Sequence, residues 1–101
     1  MMKEIIELTK EKISEATEAF YQGNGKLGYT KVTEIATYLL DLNQGVAEAI
    51  GKGNLTGYNQ NHFIEILTDM MNAMTEQDNV LLSDILQYDM MEELEYLEEC
   101  L

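Results

Sequence analysis

Apolar residues recur along this chain with the spacing of α-helices, in four stretches separated by three short polar breaks. The second stretch is the clearest, because its apolar positions alternate between steps of three and four residues: Val32, Ile35, Leu39, Leu42, Val46 and Ala49. A stripe of this kind is typical of helices that pack nearly antiparallel. The other three stretches carry similar stripes: Met2, Ile6, Ile13, Ala16 and Phe20; Phe63, Leu67, Met70 and Met74; Leu82, Ile85, Leu86, Met90, Leu94, Leu97 and Leu101, extended by Leu81 and Tyr88.

The three breaks contain the residues that end one helix and begin the next. They read QGNGK, GKGNLTG and TEQDN, with Asp78 as the expected N-cap of the last helix. Loops this short place successive helices antiparallel, and no stretch alternates with the period of a strand. We predict an all-α, antiparallel up-and-down four-helix bundle, a single domain over 1–101, with helices over about 2–21, 26–50, 58–76 and 79–99. The segments around the first and third breaks, EAFYQGNGKLGYTKVTEI and NAMTEQDNVLLSDILQY, share the order helix, short polar break, helix. Their identity is too low to indicate a duplication, and two similar stacked hairpins would account for the likeness.

Residues 23–28 read GNGKLG, which has the Gly-x-Gly-x-x-Gly spacing of a dinucleotide-binding turn. That turn works between a buried strand and a helix whose first amides hold the pyrophosphate. Here it follows an amphipathic helix, and the chain has no room for a doubly wound sheet beside four helices. We interpret it as a link in which Gly23 ends the first helix while Asn24 and Gly25 begin the second. The glycines of the second break are interpreted in the same way: Gly51, Gly53 and Gly57.

The net charge of −13 is unevenly distributed along the chain. All six lysines lie at or before Lys52, while residues 53–101 contain eleven Asp or Glu and no Lys or Arg. Such a surface repels phosphate backbones and anionic lipid, so neither nucleic acid nor a membrane is an expected partner. A basic or apolar protein partner is consistent with it.

Three features of the sequence bear on where the protein is located. Cys100 is its only cysteine, so no intrachain disulfide can form, as is usual in a reducing compartment. No apolar run approaches the roughly 20 residues needed to span a bilayer. The opening MMKEIIELTKEK has no secretory h-region. We therefore expect a cytoplasmic protein.

Candidate chemistry is sparse. His62, Glu65 and Asp69 follow one another by one helical turn and could touch a metal, but ferritin-like sites need two Glu-x-x-His units, and this chain has one histidine. No calcium loop occurs, and Cys100 has no plausible fixed base as the penultimate residue. We therefore predict that the protein is not an enzyme, and we assign no catalytic, cofactor-binding or metal-binding residue.

Among the acidic residues near the C-terminus, Asp89 has two interpretations and the acids that follow it have one. Asp84 and Asp89 lie within the apolar run VLLSDILQYDMM, with Asp89 on or beside the apolar stripe. Asp89 is then either a boundary residue with access to water or a buried polar latch that fixes helix register, paired with Tyr38, Tyr88 or a lysine. The following acids are interpreted as one solvated flank: Glu92, Glu93, Glu95, Glu98 and Glu99.

Two segments, AFYQGNGKLGYTKVTEIATYLLDL and VLLSDILQYDMMEELEYL, resemble small uncharacterised helical proteins of clostridial-type bacteria, several of them in motility-related settings. The arrangement is also similar to the flagellar export chaperone that binds flagellin, an acidic bundle of comparable length. The resemblance implies a chaperone that holds an extended flagellin tail in apolar grooves and keeps it from polymerising early. The tyrosine-containing N-terminal stretch of that family is not evident in MMKEIIELTKEK, so no binding residue is carried over.

Three functional hypotheses follow. The first is a non-enzymatic bundle that binds another protein, as a flagellar-type export chaperone or adaptor, through apolar residues that lie off the main stripes: Tyr29, Leu40, Tyr88, Met91 and Tyr96. The second is a homodimer closed by the same residues. The third is a binder of a metal or small molecule that uses the side of His62, Glu65 and Asp69.

Overall fold

Four helical rods form the fold. The computed structural model describes residues 2–101, and its elements are α1 (Met2–Tyr21), α2 (Gly25–Gly51), α3 (Gln60–Thr75), α4 (Asn79–Asp84), a π-helical segment (Ile85–Met90) and α5 (Met91–Cys100). The last three elements follow one another without a break and are called the fourth rod. Residues 2–101 contain no strand, and none of their helices is both long and apolar enough to cross a membrane. The predicted all-α four-helix bundle is confirmed.

The core lies along the middle of the bundle, where the four apolar stripes meet. α1 packs on α2, α2 on α3, α3 on α4 and the π-helical segment, and the fourth rod returns to α1. Its largest fully buried side chains come from every rod: Phe63, Ile6, Ile13, Ile35, Leu39, Leu42, Met70, Leu82, Leu86, Met90, Leu94 and Leu97. Because each such side chain contributes about 1.5–3 kcal/mol on burial, this shared core is the main source of stability.

The link between α1 and α2 confirms the interpretation of GNGKLG. Gly23 has a φ of 79°, its N–H donates to the Phe20 carbonyl at 3.0 Å, and the Asn24 N–H donates to the Ala19 carbonyl at 2.8 Å. This is a Schellman motif, which satisfies carbonyls left free at the end of a helix. The Asn24 side chain then accepts from the Leu27 N–H at 3.2 Å and caps α2.

The link between α3 and α4 has the same geometry with a different residue in the left-handed position. The Gln77 N–H donates to the Met74 carbonyl at 3.1 Å, and the Asp78 N–H donates to the Ala73 carbonyl at 3.0 Å. Asp78 accepts from the Leu81 N–H at 3.0 Å, which confirms it as the N-cap. Gln77, however, has a φ of 55°, a conformation that costs an L-residue more than glycine.

Residues 52–59 connect α2 to α3 and close one end of the core. Leu55 and Tyr58 are buried there, and the Asn59 side chain caps α3 by accepting from the Asn61 N–H at 3.1 Å. The third helix was predicted to begin at about residue 58, and α3 begins two residues later, at Gln60. Tyr58 lies before the helix, in the connecting segment, and its side chain is buried at this end of the core.

The π-helical segment keeps the buried side chains of the fourth rod in line with the core. Leu82, Leu86, Met90 and Leu94 are all buried, and they are spaced by four residues each time. In an α-helix, each step of four residues overshoots a full turn by about 40°, so this stripe would rotate away from the core. The wider π turn, in which the Met91 N–H reaches back to the Leu86 carbonyl, offsets that drift.

Several side chains predicted to lie on or beside the stripe of the fourth rod are exposed instead. Leu101 was predicted to belong to the apolar stripe, and Leu81 and Tyr88 were predicted to extend it. These predictions were wrong, since the three side chains are 39%, 43% and 62% exposed. Asp89 is exposed as well. The two interpretations of Asp89 are thereby resolved in favour of a residue with access to water.

The two equivalent links predict opposite effects of glycine. We expect Gln77→Gly to stabilise the protein by about 1 kcal/mol, because glycine tolerates positive φ, and Gly23→Ala to destabilise it by a similar amount. Urea unfolding followed by circular dichroism measures both changes. A loss of stability in Gln77→Gly would show that the glutamine side chain, rather than the backbone, matters at this link.

Candidate functional site

Glu93 is the only charged residue that is buried among residues 2–101; its exposed fraction is 4%. Its position on α5 lies three residues after Met90 and four before Leu97, both fully buried, so the helix itself turns the carboxylate inward. A carboxylate removed from water must be hydrogen-bonded or paired. Glu93 obtains two partners, one for each oxygen.

The first partner is Tyr58, from the connection between α2 and α3. Its hydroxyl donates to Glu93 Oε2 at 3.2 Å. Burial raises the pKa of Tyr58, and the nearby charge of Glu93 raises it further, so the hydroxyl stays a neutral donor. The Tyr58 ring also stacks on Tyr96 of α5, with a centroid separation of 5.9 Å. The connecting segment is thereby attached to α5 by both a polar and an aromatic contact.

The second partner is His62, in the first turn of α3. Its Nδ1 lies 2.6 Å from Glu93 Oε1, a short contact of the kind made by charge-assisted hydrogen bonds. That hydrogen bond raises the pKa of His62 above its ordinary value, and the negative charge of Glu93 adds to the effect. The imidazole is more than half exposed. His62 therefore contacts the buried carboxylate of Glu93 on one side and solvent on the other.

These residues lie at a cavity between α3 and the fourth rod, here called the α3–α5 cavity. The close approach of α3 to the fourth rod is made by α4 and the π-helical segment rather than by α5. The space left beside α5 has a volume of about 490 Å³ and is lined by Asn59, His62, Glu65, Ile66, Asp69, Asp89, Glu92, Glu93 and Tyr96. Five of these nine are carboxylates, and none is Lys or Arg.

Three of the six lysines form ion pairs away from this cavity. Lys12 contacts Glu34 at 3.4 Å, and Lys31 contacts Glu15 at 3.0 Å, both across the surface between α1 and α2. Lys10 reaches Glu98 at 3.4 Å on the side of α5 that faces α1. None of these three lysines lines the α3–α5 cavity, whose charged lining residues are carboxylates and His62.

The structure brings His62, Glu65 and Asp69 together at this cavity, as their helical spacing indicates. Across the described chain, no three His, Cys, Asp or Glu side chains are placed so that they could hold one metal ion. The cavity lining also contains no Ser, Thr or Cys that could act as a nucleophile. The lining therefore presents negative charge and hydrogen-bond acceptors.

The prediction that Glu93 belongs to a solvated acidic flank was wrong, as was the same prediction for Glu98, which is half-buried and paired with Lys10. The role considered for Asp89, a buried polar latch, is taken by Glu93 instead. The signal was present in the sequence, because Glu93 falls on the extension of the stripe through Met90 and Leu97. Sequence reasoning missed it because five clustered acids look like an exposed face.

The five predicted partner-binding residues lie on different parts of the molecule. Tyr96 lines the α3–α5 cavity, while Tyr88 and Leu40 are 62% and 54% exposed on the fourth rod and on α2. Met91 faces α1 beside Leu8 and Ser14. Tyr29 is half-buried against Phe20, with ring centroids 5.4 Å apart, and its hydroxyl has no hydrogen-bond partner within residues 2–101. Only Tyr96 joins the cavity.

Removing the Glu93 carboxylate should destabilise the bundle. Glu93→Ala leaves the buried Tyr58 hydroxyl without an acceptor, and we expect a loss of about 1–3 kcal/mol in the free energy of unfolding. Glu95→Ala, two residues away and exposed, is the matched control and should change it by less than about 0.5 kcal/mol. Equal effects in urea unfolding would contradict the role of Glu93.

The pair of His62 and Glu93 should also make stability depend on pH. Because the pKa of His62 is raised in the folded state, its contribution is fully present below the unfolded value of 6.5 and is lost as pH rises through the folded value. We expect the urea midpoint to fall between pH 6 and pH 9, and to fall less in His62→Gln. An identical pH profile in the two proteins would contradict this assignment.

Comparison with curated proteins and with solved structures gave no match. A family model matches residues 1–100, a range that includes every residue of the α3–α5 cavity. The chain therefore belongs to the family DUF8042, described as a domain of unknown function.

Proposed function

We propose that this protein is a non-enzymatic, protein-binding helical bundle that holds a basic segment of its partner in the α3–α5 cavity. The observation that carries the proposal is the composition of that cavity: carboxylates from α3, the π-helical segment and α5, one aromatic and one aliphatic side chain, and no Lys or Arg. A concave site of about 490 Å³ falls within the range of small-ligand pockets. It has room for one or two side chains.

An arginine or lysine side chain fits this lining in both charge and shape. Its aliphatic stem can lie along apolar surface of Ile66 and Tyr96 while its charged end meets carboxylates. The face of the Tyr96 ring adds a cation–π contribution of about 0.5–1 kcal/mol at a partly exposed site. Arginine has the better geometry, because its planar fork can bond a carboxylate through two parallel N–H groups.

The net charge of the protein supports the same class of partner. An acidic surface increases the rate at which basic segments are encountered and repels nucleic acid and anionic lipid. The more specific form of the proposal is a cytoplasmic flagellar-type export chaperone or adaptor. It is supported by the resemblance of the two segments quoted above and by the acidic, four-helix architecture.

Self-association is the second candidate, and a separate observation favours it. Exposed apolar side chains lie on the helix ends beside the two links at one end of the bundle, where Gly25 lies against Asn79: Tyr21, Leu27, Val80 and Leu81. A second copy would dock at this end rather than on the acidic cavity. Analytical ultracentrifugation of wild-type protein and of Val80→Ser distinguishes the two candidates, because only a dimer built on this end loses mass in the variant.

The binding proposal can be tested with a capped tri-arginine peptide, whose charge does not change with pH. We expect isothermal titration calorimetry to give an affinity at least about tenfold weaker for the double variant Glu65→Gln/Asp69→Asn, since two carboxylates of the cavity lose their charge. The matched control is Asp41→Asn/Glu48→Gln, which removes the same charge from the exposed face of α2. We expect it to change the affinity by less than about twofold at physiological salt.

Equal weakening in the two double variants would overturn the proposal, because it would attribute binding to net charge alone. Absence of binding to wild-type protein would overturn it as well. Circular dichroism of each variant checks that the substitutions leave the fold intact, as expected for exposed positions.

A further inference from the structure

The α3–α5 cavity contains a single basic group, the imidazole of His62. The charged groups that face it come from each surrounding element: Glu65 and Asp69 from α3, Asp89 from the π-helical segment, and Glu92 and Glu93 from α5. The neutral hydroxyls of Tyr58 and Tyr96 complete its surroundings. Protonation of His62 therefore places the only positive charge in the cavity.

The contact between His62 and Glu93 survives a change in protonation. An imidazolium donates from Nδ1, and a neutral imidazole can donate from the same atom in one of its two tautomers. Glu93 keeps the Tyr58 hydroxyl as its second donor in either case. Loss of the proton thus alters the charge of the cavity by one unit and leaves the contacts that shape it in place.

We propose that His62 is a proton-operated switch for the α3–α5 cavity: as an imidazolium it occupies the cationic position beside Glu93, and as a neutral ring it leaves the negative charge of the cavity to a basic side chain of the partner. This inference rests on the proposed function, because it concerns the same cavity and the same class of ligand. It predicts that the partner binds more tightly above the transition of His62 than below it.

The surrounding charges raise the pKa of His62 above its ordinary value. Glu93 raises the pKa of His62 most strongly, and Glu65 and Asp89 raise it further. A guanidinium held by the same carboxylates would oppose the imidazolium, so binding should lower the pKa of His62 again. By reciprocity, each unit of that decrease appears as about a tenfold difference in affinity between the protonated and neutral forms.

The experiment measures binding and protonation together, in the full chain. Calorimetry with the capped tri-arginine peptide at pH 6.0 and pH 9.0 gives the affinity in wild-type protein and in His62→Gln, which keeps a hydrogen-bond donor but cannot be charged. Nuclear magnetic resonance of the His62 ring gives its pKa with and without saturating peptide. We expect wild-type affinity to rise at least threefold at the higher pH, the affinity of His62→Gln to stay within twofold, and the pKa of His62 to fall on binding.

The failure of the switch differs from the failure of the proposed function. Peptide that binds wild-type protein equally at both values of pH, with an unchanged His62 pKa, overturns the switch and leaves the binding function standing. A parallel rise in wild-type protein and His62→Gln also overturns it, because another group would then be responsible. Peptide that fails to bind at either pH overturns the binding function and the switch with it.

Discussion

The burial of one carboxylate organises the α3–α5 cavity of this bundle. Glu93 is held inside by the helical position it occupies, and a charge in that place is stable only if donors reach it. Tyr58 and His62 supply those donors from the connecting segment and from the first turn of α3. These two hydrogen bonds therefore attach three separate elements to each other and form part of the wall of the α3–α5 cavity.

The π-helical segment makes this arrangement possible. Its wide turn keeps Leu86 and Met90 in line with the core, and it leaves Asp89 outside on the cavity rim. After the turn, Met90, Glu93 and Leu97 resume the ordinary helical spacing, which is how a carboxylate comes to lie inside. The local departure from α-helical geometry thus occurs directly beside the candidate site, as π segments frequently do.

The charged residues differ in whether they form ion pairs as well as in where they lie. The lysines that form ion pairs do so on the surfaces of α1 against α2 and α5, where exposed pairs contribute little to stability. The α3–α5 cavity is left with carboxylates and a single imidazole. This excess of negative charge supports the proposed recognition of a basic segment. It also supports the proposal that protonation of His62 regulates binding in the cavity.

The sequence by itself determined the four rods, their stripes and the caps at Asn24 and Asp78, because each depends on residues within about five positions of one another. The spacing of Glu93, three residues after Met90, also indicated its inward position, although the neighbouring acids made it look like part of an exposed face. Only the tertiary structure decided what that carboxylate touches. Its partners, Tyr58 and His62, lie 35 and 31 residues away along the chain, and the divergence of α3 from α5 that opens the cavity arises from how whole rods pack, which no local pattern records.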